Sequence, residues 1–199
     1  MIIWINGAFG AGKTQTSYEL LRRLGRGWVA DPEFIGIGMH RVIPPDRRQD
    51  FQDLASWRRG VIETLDAADG GQLQPVIVPM TVVRSDYFAE IIDGLRGRRH
   101  RVEHVALQAS PETIRRRLRS RGGAVRDLWA EQQIDRCVTA LAQPEFARHV
   151  RTDDAGIDAV VEDISAGLDL ELVRPRLGPV AGLARNKYIQ IKHIRQIFG

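Results

Sequence analysis

Residues 1–16 read MIIWINGAFGAGKTQT. Met1 to Asn6 is apolar and rich in isoleucine, the composition of a strand buried on both faces. Gly7-Ala8-Phe9-Gly10-Ala11-Gly12-Lys13-Thr14 follows without a spacer and matches the phosphate-loop pattern G-x-x-x-x-G-K-[ST]. From Gln15 to Leu24 the pattern turns helical, with Leu20, Leu21 and Leu24 on one face and Gly25 as the stop. Strand, glycine loop and helix in succession are the context in which this motif cradles phosphate. Glycines let backbone N–H groups converge on phosphate oxygens, and the helix N-terminus adds partial positive charge. The motif therefore assigns Gly7, Ala8, Phe9, Gly10, Ala11, Gly12, Lys13, Thr14 and Gln15 to a nucleotide. Lys13 supplies a point charge for the outer phosphates and the Thr14 hydroxyl a ligand for Mg²⁺, so a nucleotide with Mg²⁺ is expected.

Of the 29 basic residues only three are lysine: Lys13, Lys187 and Lys192. Every other position before 187 uses arginine. A lysine kept against that bias is needed as lysine, because a compact flexible ammonium and a planar guanidinium are not equivalent.

The 199 residues suffice for one domain with a sizeable core. No apolar run reaches the ~20 residues of a membrane span, and the first apolar segment has no basic region before it, so no export leader is expected. The single cysteine, Cys137, excludes an internal disulfide and any cysteine-based metal cluster, and fits a cytoplasmic location. The net charge of +4 is concentrated at the end: residues 172–199 hold six basic side chains and no acidic one. The near-neutral body argues against a nucleic-acid partner. The domain reading is a body over 1–171, with a flap at about 115–127, and a basic helical extension over 172–199.

Further along, Trp28 to Asp31 reads as a short strand ended by Pro32, and Asp50 to Leu65 as a helix. Pro75 to Val82 reads as a buried strand, and Ser85 as the cap of a helix reaching Leu95. Val102 to Ala109 is the next strand, and Ser110-Pro111 is a good start for the helix of Ile114 and Leu118. A helix from Asp127 carries Ile134, Cys137, Val138 and Leu141. His149 to Thr152 is the last strand and Ile157 to Leu168 a packing helix. Gly94 to Arg101 and Arg174 to Gly182 look loosest. Strands alternating with helices specify a three-layer α/β/α fold with a parallel sheet of about five strands. Ligands of such sheets collect beyond the carboxyl ends of the strands.

Candidate chemistry follows from that placement. Asp31 ends the second strand, where a carboxylate can accept a proton from a substrate hydroxyl and also serve the Mg²⁺ shell; otherwise it only opens a turn. Between Leu54 and Val61, helical spacing demands an inward residue at Trp57 or Arg58, which either contact a ligand or pack and snorkel. The run Arg115 to Arg121, followed by Gly122-Gly123, reads as a flap whose Arg117 and Arg121 supply positive charge to the transferring phosphate. A solvated basic face is the alternative. Arg136 is a further clamp or a surface charge. The third strand ends in Pro79-Met80-Thr81 rather than the carboxylate many phosphate-loop enzymes place there, which argues against a motor, helicase or GTPase.

Together these segments resemble the tunicamycin-resistance protein family. The likeness is carried by MIIWINGAFGAGKTQT, Asp31-Pro32-Glu33, Asp50-Phe51-Gln52 with Trp57-Arg58, Val78-Pro79-Met80-Thr81 with Tyr87-Phe88, Arg117 to Arg121, and Gln133 to Val138. More distantly the chain is similar to nucleoside-monophosphate kinases and chloramphenicol phosphotransferase. The resemblance implies a phosphate-loop kinase fold with Arg117 and Arg121 near the nucleotide, Thr152 and Asp153 near its base, and Asp31 activating the acceptor hydroxyl. It also implies tunicamycin, a uridine-based antibiotic with sugars and an acyl chain, as the small-molecule partner, with Trp57, Arg58, Met80, Thr81, Tyr87 and Arg136 as contacts. Three functions stay open: an ATP-dependent kinase of tunicamycin or a related nucleoside compound, a module that sequesters the drug, and a housekeeping small-molecule kinase. In the tail, Val180, Leu183, Ala184, Tyr188, Ile191, Ile194 and Phe198 follow helical spacing among basic residues. Such a helix either packs on the body or lies peripherally on an anionic membrane.

Overall fold

Alternation along the first strand sends Ile2 and Trp4 to one face of a sheet and Ile3 and Ile5 to the other, all four fully buried. The computed structural model describes residues 1–71, 74–120 and 128–198, with backbone only for 128–130 and 190–198. Five strands, β1 (Ile2–Gly7), β2 (Trp28–Val29), β3 (Val76–Pro79), β4 (Val102–Gln108) and β5 (His149–Arg151), form one sheet in the order β2-β3-β1-β4-β5. All four pairings are parallel, and Ile2 of the central strand sits between Val76 and Val102.

The helices are α1 (Lys13–Leu24), α2 (Glu33–Val42), α3 (Ala55–Asp69), α4 (Ser85–Gly97), α5 (Pro111–Ser120), α6 (Leu128–Leu141), α7 (Ile157–Gly167) and α8 (Pro179–Phe198). On one face, α3 and α4 press Trp57, Val61, Leu65, Phe88, Ile91 and Leu95 onto Ile2, Trp4, Val76 and Val78. On the other, Leu20 and Leu24 of α1 and Val160, Val161 and Ile164 of α7 cover Ile3, Ile5, Ile77 and Val105. The fold is the expected three-layer α/β/α sandwich.

Several boundaries differ from the sequence reading. Helix α2 is not foreseen, because Gly36 and Gly38 speak against a helix. Gly36 is needed there for a close approach: a Cβ on it would lie 2.4 Å from the Phe51 ring. Helix α3 starts at Ala55 rather than Asp50, because Phe51–Asp53 form a separate 3₁₀ turn capped by the Asp50 carboxylate. Strand β2 stops at Val29. Ser85 opens α4 without a side-chain capping bond, and that helix continues through Gly94 to Gly97. The Ser110 cap holds, its Oγ accepting the Thr113 amide at 3.2 Å.

The basic tail lies along α1. The Arg174 amide donates to Arg23 O at 3.0 Å, and Arg176 pairs with Glu162. Arg176 and Arg23 together pull the Glu162 carboxyl down to about 2. In α8, Asn186 O accepts from the Gln15 side chain at 2.8 Å, Arg185 lies 3.6 Å from Glu19, and Ile189 is buried. Val180, Leu183 and Tyr188 of the expected apolar edge are exposed. Among the described residues no helix is long and apolar enough to cross a membrane.

Candidate active site

The site begins with a polar residue at the end of an apolar strand. Asn6 is fully buried and ties β1 to the segment after β3. Its Nδ2 donates to Val82 O at 2.9 Å, and its Oδ1 accepts from the amides of Val82 and Gly7 at 3.1 and 2.9 Å. Thr81, where many phosphate-loop enzymes place a carboxylate, donates its hydroxyl to Gly7 O at 2.8 Å. The base of the loop is thereby locked to the end of β3.

Above that base the loop turns back on itself through Gly10 and Gly12, whose φ angles of 85° and 105° lie in the left-handed region that glycine adopts freely. The Ala11 amide closes the turn on Ala8 O at 3.1 Å. The Lys13 ammonium folds over it, donating to Gly7 O at 2.9 Å and Ala8 O at 3.2 Å, 5.5 Å from the Phe9 ring centre. No side chain caps α1, so its first amides face the concavity that the loop encloses. An anion there meets backbone donors, a helix N-terminus and one ammonium, which is the donor set that phosphate requires. Thr14 lies in the first turn of the same helix. Among the described residues no group of three or more His, Cys, Asp or Glu is arranged to hold a metal.

Arg117 leans from α5 onto the loop. Its guanidinium donates to Ala11 O at 3.4 Å, to Thr152 Oγ1 at 3.1 Å and to Thr152 O. Burial lowers its pKa, against the opposing pull of Asp153. Asp153 accepts the Ser110 amide at 2.8 Å, a bond that holds its carboxyl below the usual range. Arg117, Thr152 and Asp153 thus meet beside the phosphate loop. Gln15 is turned toward the tail through Asn186. Arg115 pairs with Asp135 of α6 at 2.8 Å. Arg121 and the flap beyond Ser120 lie outside the described residues.

Next to the loop is a cavity of about 230 Å³. Its wall carries Phe9 from the loop, Asp50, Gln52 and Asp53 from the 3₁₀ turn, Thr81, Arg84 and Tyr87 around the start of α4, and Arg136 and Cys137 from α6. Thr81, Tyr87 and Arg136 therefore share one cavity wall. Met80 is buried and does not line the cavity. Trp57 is wholly buried, its indole donating to Pro32 O at 3.2 Å and its ring 5.3 Å from Phe51. Arg58 is buried too and does not snorkel; it donates to Glu90 and to Gln52 O, both at 2.6 Å, and stacks 4.0 Å from the Tyr87 ring centre. Both residues stand behind the cavity rather than on its wall. Asp31 is also off the wall. It accepts the Glu33 amide at 3.0 Å and acts on Tyr18, whose phenol is raised by burial first and by Asp31 second. Asp50, Gln52, Asp53, Arg84 and Gln133 also line the cavity; Asp50, Gln52 and Gln133 lie in segments that carry the family likeness, but they come from three separate stretches and no spacing joins them into one wall. Asn6 had a legible signal, a polar residue closing an apolar strand.

Comparison with known proteins places this geometry. The chain is similar to the tunicamycin resistance protein of Deinococcus radiodurans, with 26% identity and a TM-score of 0.70 over 87% of this chain and 99% of that one. It shares its fold with a sugar kinase from Janibacter sp. HTCC2649 (21% identity, TM-score 0.63, 88% of this chain and 98% of that one). It also does so with a gluconokinase from Sinorhizobium meliloti 1021 (19%, 0.60, 94% and 95%). No curated protein matches the sequence. The sequence model of the AAA domain family matches residues 2–144, the stretch that carries the phosphate loop, and the chain belongs to that family.

Proposed function

We propose that the protein is a small-molecule kinase that transfers the terminal phosphate of ATP, as its Mg²⁺ complex, to a hydroxyl of tunicamycin or a related nucleoside compound. The observation that carries this reading is the adjacency of the phosphate loop, with Lys13 folded over it, to a polar cavity sharing the loop residue Phe9. Hydrolytic machinery needs no second chamber; a phosphoryl acceptor does. The likeness to the D. radiodurans protein supports tunicamycin as the acceptor.

In this reading Gly7 to Gln15 hold the phosphates, Arg117 flanks them, and Thr152 and Asp153 border the base. Thr14 takes Mg²⁺, which neutralises charge on the outer phosphates when bound. Asp31, just past the carboxyl end of β2, serves the same region. Lys13 stabilises the charge that grows on the outer phosphate as the bond to it breaks. Arg84, Tyr87 and Arg136 orient the acceptor. At ~30 Å³ per water, the cavity holds the equivalent of about eight waters. That is one ring of a tunicamycin-sized molecule, the remainder extending outside.

The test incubates purified protein with ATP, Mg²⁺ and tunicamycin and looks for a one-phosphate mass increment on the drug. Appearance of that product, dependent on Lys13, is the expected result. Tight binding with no increment at any enzyme concentration would replace this reading with sequestration.

A further inference from the structure

The cavity wall holds a carboxylate better placed for chemistry than Asp31. Asp50 uses one oxygen inside the protein, Oδ1 accepting the Gln52 amide at 3.0 Å. Among the described residues its other oxygen takes no hydrogen bond. The other acidic residue on the wall, Asp53, also has one oxygen bonded, accepting the Tyr87 hydroxyl at 2.9 Å, and Arg84 is neutralised by Asp86; what sets Asp50 apart is its connection to the phosphate loop.

Four hydrogen bonds register Asp50 against Lys13. Gln52, whose amide the Asp50 carboxylate caps, donates its side chain to Thr81 O at 2.9 Å. Thr81 donates to Gly7 O at 2.8 Å, and Lys13 donates to the same carbonyl at 2.9 Å. The turn is braced from behind by Arg58 on Gln52 O and by the Phe51 ring against Trp57. Asp50 and Lys13 both bear on the Cys137 thiol in the cavity wall: burial raises its pKa most, Lys13 pulls it down and Asp50 pushes it up.

We infer that Asp50, rather than Asp31, is the catalytic carboxylate that takes the proton from the acceptor hydroxyl lying in the cavity. The inference rests on the kinase reading above. As the new O–P bond forms, the hydroxyl proton passes to the free oxygen of Asp50. The bond between the terminal phosphorus and the bridging oxygen of ATP breaks, and ADP keeps that electron pair. Asp31 is left to the metal side of the site.

The test compares the full-length wild type with Asp50→Asn, Asp50→Ser and Asp31→Asn. Serine retains an oxygen able to cap the Gln52 amide, so a loss shared by both Asp50 variants is not a loss of the turn. Calorimetry gives the affinity for tunicamycin, a fluorescent analogue the affinity for ATP, and kinetics the rate of transfer to tunicamycin and of acceptor-free ATP hydrolysis, in which water occupies the cavity. Both Asp50 variants should lose about 100-fold or more in kcat while keeping both affinities within about threefold. Asp31→Asn should instead weaken Mg²⁺-dependent ATP binding. Wild-type kcat in the Asp50 variants would overturn the proposal, as would lost tunicamycin affinity with kcat intact. If the wild type hydrolyses ATP but transfers nothing to tunicamycin, the acceptor assignment fails alone, and the hydrolysis rates of the variants still decide the role of Asp50. Loss of transfer confined to Asp31→Asn would return the role to that residue.

Discussion

The hydroxyl of Thr81 donates to the carbonyl of Gly7 at 2.8 Å, joining the end of β3 to the first residue of the phosphate loop. Thr81 is buried, so water cannot replace that bond. Thr81→Val keeps the shape and removes the donor. It should cost about 1–2 kcal/mol of stability, read as a lower urea midpoint, and should weaken ATP binding. Thr81→Ser should recover most of both; a valine variant with wild-type midpoint and affinity would show that the bond does not set the loop.

Lys13→Met should lower ATP affinity by about tenfold or more, since it removes the ammonium aimed at the outer phosphates. Folding should persist, because the ammonium's bonds to Gly7 O and Ala8 O lie at a partly exposed position. Calorimetric titration with Mg²⁺-ATP checks the first statement and thermal melting the second.

Gly36→Ala tests the contact between α2 and the turn that follows. The added methyl meets the Phe51 ring, which is itself held against Trp57 and His40. Overpacking of this kind costs about 1–3 kcal/mol. Displacing Phe51 also moves Asp50, so transfer should fall while ATP affinity stays. Equal losses in both would place the damage elsewhere.

His104 sets a pH limit on stability. Its ring lies 4.5 Å from Phe88 and 6.2 Å from Phe146, and burial pushes its pKa down to about 4. Below about pH 6.5 the unfolded chain binds a proton that the folded chain refuses, so this stability is full above that pH and is lost as pH falls toward 4. Between pH 7 and pH 5 the loss is about 2 kcal/mol. His104→Phe should flatten the pH dependence of Tm across that window by a corresponding amount, and parallel curves for the two proteins would remove His104 as the cause.

What the sequence discloses is local. Met1 to Gly25 shows a strand, a loop and a helix because each signal lies within its own segment, and Gly25 ends α1 at a φ of 71° with its amide on Leu21 O and Arg22 O. The stripe through α3 demanded an inward residue at 57 or 58, and both are buried, Arg58 only because Glu90 and Gln52 O receive it. The cavity is different. Asp50, Arg84 and Gln133 converge because of the strand order and the position of α6, and no spacing along the chain encodes that. Helix α2 is hidden for a related reason: its glycine answers to a ring fifteen residues later, outside any local window.

Cys137 is the only cysteine in the chain, it is 3% exposed, and it forms part of the cavity wall. Burial keeps its sulfur protonated and slow to alkylate. Whatever enters the chamber shields that sulfur further, and whatever opens α6 bares it. The protein thus carries its own covalent clock: the speed at which a small maleimide consumes this thiol reports occupancy of the chamber, with no introduced dye.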